Sequence, residues 1–304
     1  TTLPRSMIEE IIFMHRDSGC IETEKVYGEK WLSLIYGSPL GKIPLWLAIK
    51  RSWFSKWYGK KMDTLSSRER ILPFIEKFNL DENEFLKRPA EYKSFNEFFY
   101  RELKKEARPV DQSVNSAVFP ADGRHLGIQN LEQTERIFVK GQQFNLSSLF
   151  GSQNLADNYR EGSLIISRLC PVDYHRFHFP VSGHSSSPQL INGSLFSVNP
   201  IALKQNIGIF WENKRYLSCI EDSIFGKVAT FLVGATCVGS VKITSDLPAR
   251  VEKGQEYGHF LFGGSCLLTL FEKGTVSLAD DLLECTAKGI ELYAKMGQTL
   301  GTQI

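Results

Sequence analysis

A serine that directly follows two glycines, in Gly263-Gly264-Ser265, has the surroundings best suited to covalent chemistry in this chain. The triplet opens an apolar run that predicts a buried β-strand. A strained turn there would hold the Ser265 hydroxyl against the carbonyl carbon of Gly264. Attack converts the amide into an ester, and β-elimination then leaves dehydroalanine, which hydrolyses to a pyruvoyl group. The ordinary alternative is a glycine bulge in a strand, with the serine in a local hydrogen bond.

Two histidines three residues apart lie in a second polar segment, at residues 170–180. On a regular strand His175 and His178 would point to opposite faces, so both can serve one site only if a bulge or turn intervenes. One of them could be a general base for Ser265, oriented by Asp122 from an Asp-Gly turn. Two other interpretations stay open: a His-x-x-His metal pair, which lacks a nearby third ligand, and core histidines that bond main-chain carbonyls.

The elements that would position these residues change in character near residue 110. Apolar side chains at helical spacing predict helices from Asp63 to Lys87, and Ser94 and Glu97 are spaced as a capping box that starts another. Later apolar runs are short and separated by Gly, Pro, Asn and Ser, which predicts strands at Leu164–Ser167, Lys227–Gly234, Cys237–Ile243 and Phe260–Phe271. We therefore predict an α+β protein with a helical region at 1–110 and a β-rich, barrel- or sandwich-like catalytic domain at 111–304.

The segment at residues 40–62 combines basic and aromatic side chains without any acidic residue. Pro44 suits the first turn of a helix, on which Trp46, Trp53 and Trp57 would share one face. This composition is typical of a helix that lies in a membrane interface. The alternative is a helix packed on the protein's own core, with its lysines in solvent.

Composition excludes several broad classes of protein. The net charge of +2 provides no global field for nucleic acid, so we expect no nucleic-acid partner. The six cysteines are scattered, which favours reduced thiols over a disulfide framework. No apolar run is long enough for a membrane span, and we expect no signal peptide.

Seven ordered blocks of the sequence decide between these alternatives. They are FFYRELKKEARPVD at 98–111, FPADG at 119–123, KGQQFNLSSLFG at 140–151, CPVDYHRFHFPVSG at 170–183, LFSVNP at 195–200, VGATCVGSV at 233–241 and KGQEYGHFLFGGSCLLTLFEKG at 253–274. In these blocks the chain resembles the pyruvoyl-dependent phosphatidylserine decarboxylases. The blocks around the two histidines and the Gly-Gly-Ser triplet are the most specific.

The resemblance implies a proenzyme that cuts itself between Gly264 and Ser265. It assigns Asp122, His178 and Ser265 to a self-cleavage triad and His175 to decarboxylation. The cofactor would be a covalent pyruvoyl group derived from Ser265, whose ketone forms a Schiff base with the serine amine of the lipid and accepts electrons as CO2 leaves. No metal is implied.

The same resemblance implies the substrate and the partners. Phosphatidylserine in the membrane would become phosphatidylethanolamine and CO2, in phospholipid biosynthesis. The two pieces of the precursor, a β chain at 1–264 and an α chain at 265–304, would be each other's partners, and a homo-oligomer is left open. The enzyme would sit peripherally on the cytoplasmic side of the inner membrane. Arg176 is one candidate for the lipid phosphate, with a surface salt bridge as the alternative.

One residue departs from the family pattern. Cys266 stands where the family usually has threonine or serine, and we expect it to change the rate of cleavage and not its chemistry. Two other functions stay open. A serine hydrolase using Asp122, His178 and Ser265 would remain one polypeptide and lacks a GxSxG elbow. A non-catalytic membrane-binding module would also remain intact and hold no reactive carbonyl.

Overall fold

The computed structural model describes residues 11–24, 59–132, 144–198, 202–203, 206–234, 241–262 and 265–304. Of the predicted interfacial helix at 42–61, all but residues 59–61 lie outside the described residues. Gly264, on one side of the predicted cleavage site, also lies outside them, whereas Ser265 on the other side is described.

Strands account for most of the regular structure. They are β1 Ile12–His15, β2 Ile21–Thr23, β3 Ser116–Val118, β4 Gly123–Ile128, β5 Ser163–Leu169, β6 Arg176–His178, β7 Gly183–Ser185, β8 Gln189–Ile191, β9 Arg215–Asp222, β10 Gly226–Val233, β11 Val241–Ile243, β12 Ala249–Val251, β13 Glu256–Phe260, β14 Ser265–Phe271, β15 Val276–Leu278, β16 Glu291–Ala294 and β17 Thr299–Gln303.

The helices are short. The α-helices are α1 Ile71–Phe78, α2 Phe95–Phe99, α3 Leu146–Phe150, α4 Gln153–Asp157, α5 Ile209–Glu212 and α6 Asp280–Ala287. Among the described residues, 3₁₀ helices lie at Leu65–Arg70, Glu82–Glu84, Pro89–Glu91 and Lys105–Ala107. No helix among the described residues is long and apolar enough to cross a membrane.

One large sheet organises the molecule. Its strand order is β12-β7-β9-β10-β14-β5-β4-β16-β1-β2, and β8 pairs with β9 beside this path. Two three-stranded sheets, β11-β13-β6 and β15-β17-β3, accompany it. Within the described residues the large sheet is open, with β12 and β2 at its ends, so the expected barrel is not closed.

The central strands of this sheet are covered on both faces. Because successive side chains of a strand point to opposite faces, each central strand supplies two cores. The first core includes Ile165, Leu169, Leu232, Leu267 and Phe271. The second core includes Leu164, Ile166, Phe231, Cys266 and Leu268. All seven residues of β14 are therefore buried, which explains why its sequence is mostly apolar and does not alternate.

A third cluster packs the helices against Phe262, which precedes β14 in the chain. This aromatic cluster comprises Met62, Ile71, Phe74, Ile75, Phe85, Tyr92, Phe95, Phe98, Phe99 and Phe262. The predicted apolar stripe of α1 supplies Ile71, Phe74 and Ile75, and Ser94 caps α2 by accepting from the main-chain N–H of Glu97 at 3.2 Å. The short helices therefore pack beside Ser265, which follows Phe262 closely in the chain.

The predicted helical region at 1–110 is not confirmed as a whole. Residues 59–107 do contain the short helices, but β1 and β2 belong to the large sheet, where β1 runs parallel to β16. The physical reason is packing: Phe13 is buried against the ring of Tyr293 on β16. The β-rich texture after residue 111 is confirmed, with β5 and β10 covering the strands predicted at 164–167 and 227–234.

Candidate active site

Ser265 is the first residue of β14 and is fully buried. β14 lies between β10 and β5, where Ser265 pairs with Leu169. The neighbouring Cys266 packs in the second core, so the two side chains leave the strand on opposite faces. Burial also raises the pKa of the Cys266 thiol, which keeps it protonated. The thiol cannot replace the Ser265 hydroxyl without a reversal of the strand.

The Ser265 hydroxyl contacts His175, which lies just before β6. Oγ of Ser265 is 3.2 Å from Nδ1 of His175, and Nε2 of the same ring is 2.9 Å from the carbonyl oxygen of Cys170. Because a carbonyl oxygen can only accept, Nε2 carries the hydrogen and Nδ1 presents its lone pair to the hydroxyl. Burial lowers the pKa of His175 to about 3, so the ring is neutral. This is the arrangement of a base beside a nucleophile.

Two neighbours fix the ring of His175. Phe99 at the end of α2 stacks on it, with ring centroids 3.7 Å apart and an interplanar angle of 21°. The loop before it is held by Asp173, whose carboxylate accepts from the main-chain N–H of Cys170 at 2.6 Å and from Nη1 of Arg124 at 2.6 Å. The orientation of His175 therefore depends on both the helical segment and a buried ion pair.

That ion pair continues to the N-terminal strands. Nη2 of Arg168 on β5 contacts Glu24 at 2.5 Å and Glu291 at 2.6 Å, and Arg124 also reaches Glu24 at 3.3 Å. Burial acts to raise the pKa of Glu24, but the charge and hydrogen bond of Arg168 together with the charge of Arg124 outweigh it, and the pKa falls to about 2. The network ties the end of the β1–β2 hairpin to the loop that carries His175.

His178 has other partners. Its Nδ1 lies 2.9 Å from the carbonyl oxygen of Gly254 and its Nε2 lies 3.3 Å from the hydroxyl of Tyr174. By the same logic Nδ1 carries the hydrogen, and the Tyr174 hydroxyl donates to Nε2. Burial lowers the pKa of His178. Both ring nitrogens are thus occupied in the uncut chain.

Asp122 is held by a cation. Nε of Arg108 lies 2.9 Å from both carboxylate oxygens, Nη2 lies 2.6 Å from Oδ2, and the main-chain N–H of Met296 donates to Oδ1 at 2.8 Å. Despite the burial of this pair, the charge of Asp122 raises the pKa of Arg108. Among the hydrogen bonds of the described residues, none joins Asp122, His178 and Ser265 to one another. The structure brings Ser265 together with His175 instead.

Two further predictions from the sequence concern Arg176 and a metal site at the His-x-x-His pair. Nη1 of Arg176 donates to both carboxylate oxygens of Glu256, at 2.7 and 2.9 Å, and Nη2 forms a salt bridge with Glu102, which agrees with the salt-bridge alternative. For the His-x-x-His pair, no three metal-ligating side chains come together in the described part of the chain.

Several residues that position the site carry no role that the sequence pattern assigns. Phe99 and Arg108 lie in the 98–111 block, which resembles the family, but the resemblance assigns neither residue a role. Asp173 stood inside the histidine segment as an unassigned acid. An acid two residues before a pair of histidines is a signal for an ion pair, but the sequence does not say with which arginine.

Comparisons with known proteins point to one family. The sequence profile of the family described as phosphatidylserine decarboxylase matches residues 95–302. A phosphatidylserine decarboxylase proenzyme of Fusobacterium nucleatum is 44% identical over 296 residues, covering 97% of this chain and 98% of that protein. Proteins of the same name from Clostridium novyi and Chlamydia muridarum are 42% and 41% identical, covering 95% and 96% of this chain and 98% and 97% of theirs.

Proposed function

The chain belongs to the phosphatidylserine decarboxylase family, and we propose that it is a proenzyme which cuts itself between Gly264 and Ser265 and then converts phosphatidylserine to phosphatidylethanolamine and CO2. The family and the proenzyme name of the relatives support the overall reaction. The residues around Ser265 support the mechanism by which the chain would cut itself and catalyse this reaction.

Maturation begins at the Ser265 hydroxyl. Its oxygen attacks the carbonyl carbon of Gly264, the amide nitrogen leaves that carbon, and an ester joins the two residues. Loss of the Cα proton of Ser265 then expels the Gly264 carboxylate and leaves dehydroalanine. Water adds to its imine tautomer and ammonia leaves, which produces a pyruvoyl group at the start of the 265–304 chain.

The observation that carries this proposal is the contact between the Ser265 hydroxyl and the unprotonated Nδ1 of His175, 3.2 Å apart in a buried site. A neutral imidazole with a free lone pair can exchange protons with a reactive group formed at residue 265. A serine that only capped the strand would require no base at this place.

The surroundings of position 265 also fit the pyruvoyl group. The group is smaller than the serine peptide from which it forms, so it needs no additional space at the start of β14. It would supply a ketone that withdraws the electrons released with CO2. Nδ1 of His175 can take a proton from the ammonium of the bound substrate and return one to its Cα after CO2 leaves. The stacked ring of Phe99 excludes water from one side.

We keep the division of roles that the family resemblance implies. Asp122, His178 and Ser265 would act in self-cleavage, and His175 in decarboxylation. The position of His175 beside residue 265 supports its role in turnover. The same contact makes His175 able to take the Ser265 proton during maturation, so the two steps must be measured separately.

The substrate is a membrane lipid, and we propose that the enzyme meets it as a peripheral protein on the cytoplasmic face of the inner membrane. The basic and aromatic composition of residues 42–61 supports this contact. The two chains would stay together after cleavage, because β14 of the 265–304 chain is hydrogen-bonded between β10 and β5.

The mass of the purified protein tests the function. Wild-type protein should resolve into two chains, and borohydride should reduce the blocked N-terminus of the 265–304 chain. Ser265→Ala should stay uncut and inactive, and Ser265→Cys should cut slowly at best. Cys266→Ala is the matched control and should still cut, because its side chain leaves the opposite face of β14. An uncut chain with decarboxylase activity would refute the proposal.

A further inference from the structure

Arg101 is a buried cation with unused hydrogen-bond donors. Its side chain lies directly after α2, and the residue is 5% exposed. Nη2 reaches the carbonyl oxygen of Val172 at 3.3 Å, but Nε and Nη1 have no hydrogen-bond partner. The guanidinium carbon instead lies 5.0 Å from the ring centroids of Phe85 and Phe98. Aromatic faces stabilise the charge in part, yet they leave two buried donors unsatisfied.

The other buried arginines of the described residues bind carboxylates or several carbonyl oxygens, and the one nitrogen among them without a hydrogen bond, Nε of Arg124, lies 3.3 Å from the carboxylate of Glu24. Carboxylates bind the guanidinium groups of Arg108, Arg124 and Arg168, and main-chain carbonyls bind that of Arg215. Arg101 stands apart from both groups. A buried charge without a carboxylate partner costs stability, so the fold retains here a cation whose Nε and Nη1 it does not use.

The position of Arg101 relates it to the active site. It shares two chain segments with the Ser265–His175 pair: Phe99, two residues before Arg101, stacks on His175, and Val172, its carbonyl partner, lies three residues before His175. Its charge is also felt at the ring, because it adds to the effect of burial in lowering the pKa of His175.

We propose that Arg101 binds the phosphodiester of the substrate, an inference that rests on the proposed function. The planar guanidinium fork matches two phosphate oxygens, and the free Nε and Nη1 are the donors for them. The substrate carboxylate is the wrong anion for this cation. It loses its charge as CO2 leaves, so a cation bound to it would stabilise the ground state more than the transition state. The phosphodiester keeps its charge throughout.

This assignment makes Arg101 a binding residue with a defined kinetic signature. An interaction of equal strength in the ground state and the transition state changes KM and leaves kcat unaltered. Loss of a charge-assisted contact to a buried anion should weaken binding by about 10- to 100-fold.

The test uses full-length protein after its self-cleavage has been checked by mass. The variants are Arg101→Met, Arg101→Lys and, as a control, Arg88→Met, whose side chain is 85% exposed. The probes are sn-glycero-3-phosphoethanolamine, which has the phosphodiester and no carboxylate, and ethanolamine, which has neither. Their dissociation constants are measured by calorimetry, and KM and kcat are measured with phosphatidylserine.

Arg101→Met should bind glycerophosphoethanolamine about 10- to 100-fold more weakly than wild type, with ethanolamine binding unchanged. KM should rise while kcat holds. The affinity of Arg101→Lys for glycerophosphoethanolamine should lie between those of wild type and Arg101→Met, because lysine keeps the charge and lacks the planar guanidinium. In the absence of ligand, Arg101→Met should melt at or above the wild-type temperature, whereas a purely structural arginine would lower it.

Several outcomes would overturn the proposal. Wild-type affinity of Arg101→Met for glycerophosphoethanolamine excludes phosphodiester binding, as does an equal loss for both probes. A fall in kcat at constant KM would place Arg101 on the carboxylate or the reacting atoms. If Arg101→Met does not fold, wild-type affinity in Arg101→Lys gives the same negative answer. Failure of wild-type protein to cut or to turn over phosphatidylserine is different, because it refutes the proposed function itself.

Discussion

Arg108 and Asp122 form a buried ion pair that uses both carboxylate oxygens, at 2.9 Å from Nε and 2.6 Å from Nη2. The pair connects the last 3₁₀ turn of the helical segment to the start of β4, and the N–H of Met296 adds a contact from the C-terminal region. Asp122 therefore stabilises the uncut chain in addition to the role in self-cleavage that we propose for it. A substitution at Asp122 is expected to lower stability as well as to affect cleavage.

We predict that the two residues of this pair are strongly coupled in stability. In a Ser265→Ala background, which keeps every variant uncut, Arg108→Met should lower the free energy of unfolding by about 3–5 kcal/mol, because it leaves a buried carboxylate without its cation. The double variant Arg108→Met/Asp122→Leu should lose clearly less than the sum of the single changes. Urea denaturation measures all four proteins of the cycle. Additive losses would show that the pair contributes nothing as a unit.

Substitutions of the two histidines should have different effects when cleavage and turnover are assayed independently. His178→Ala and Asp122→Ala should accumulate uncut precursor, and their activity should be absent because no pyruvoyl group forms. His175→Ala should still cut, while decarboxylation falls by roughly 100-fold or more, the usual scale for a general acid–base group. Denaturing gels report cleavage, and CO2 release per pyruvoyl group reports turnover.

The contact between His175 and Ser265 makes the opposite result informative. Uncut precursor from His175→Ala, with normal maturation of His178→Ala, would reverse the two roles and make His175 the base of self-cleavage. Wild-type maturation and turnover in both variants would make the pair structural. Asp122→Asn is the control for Asp122→Ala, because it retains an oxygen that accepts the N–H of Met296.

Stability should depend on pH through His175. Burial lowers its pKa to about 3 in the folded chain, below the value of about 6.5 for a free histidine. Between these values the unfolded chain binds the proton and the folded chain does not, so stability falls as the pH drops from about 6.5 toward 3. In the Ser265→Ala background, His175→Gln should make this fall shallower by about 1.4 kcal/mol per pH unit between pH 4 and 6. Equal slopes for the two proteins, from urea denaturation at each pH, would contradict the assignment.

Membrane binding should depend on the lysines of the basic and aromatic segment. Changing Lys50, Lys56, Lys60 and Lys61 to glutamate should release the protein from anionic vesicles, since each basic residue near such a surface contributes about 1 kcal/mol, screened by salt. Vesicle co-sedimentation at low and high salt measures it. The control carries the same charge change in the β-rich part, at Lys227, Lys242, Lys273 and Lys288, and should still bind. If the variant in the basic and aromatic segment binds the vesicles as strongly as wild type and the control do, the segment is a core helix.

The sequence alone was sufficient for the features that depend on local pattern. The mostly apolar run after Ser265 predicts a buried strand, and β14 is one, because a strand covered on both faces has no solvent-exposed positions for polar side chains. The stripe of α1 and the cap at Ser94 were likewise readable, since helical spacing and capping involve residues only a few positions apart. The co-linear motif blocks were enough to indicate the family, and the profile match over residues 95–302 agrees.

Only the tertiary structure decided which groups meet. Both histidines stand in one short segment, but the turn before β6 directs His175 to Ser265, 90 positions later, and leaves His178 on Gly254 and Tyr174. The ion pair of Arg108 with Asp122 and the unpaired Nε and Nη1 of Arg101 also result from packing between segments that are distant in the sequence. Pairing across such separations depends on how whole elements are stacked, and composition, spacing and periodicity contain no distance between elements. The residue types define the chemistry available to this protein, and the fold determines which of them can act on one another.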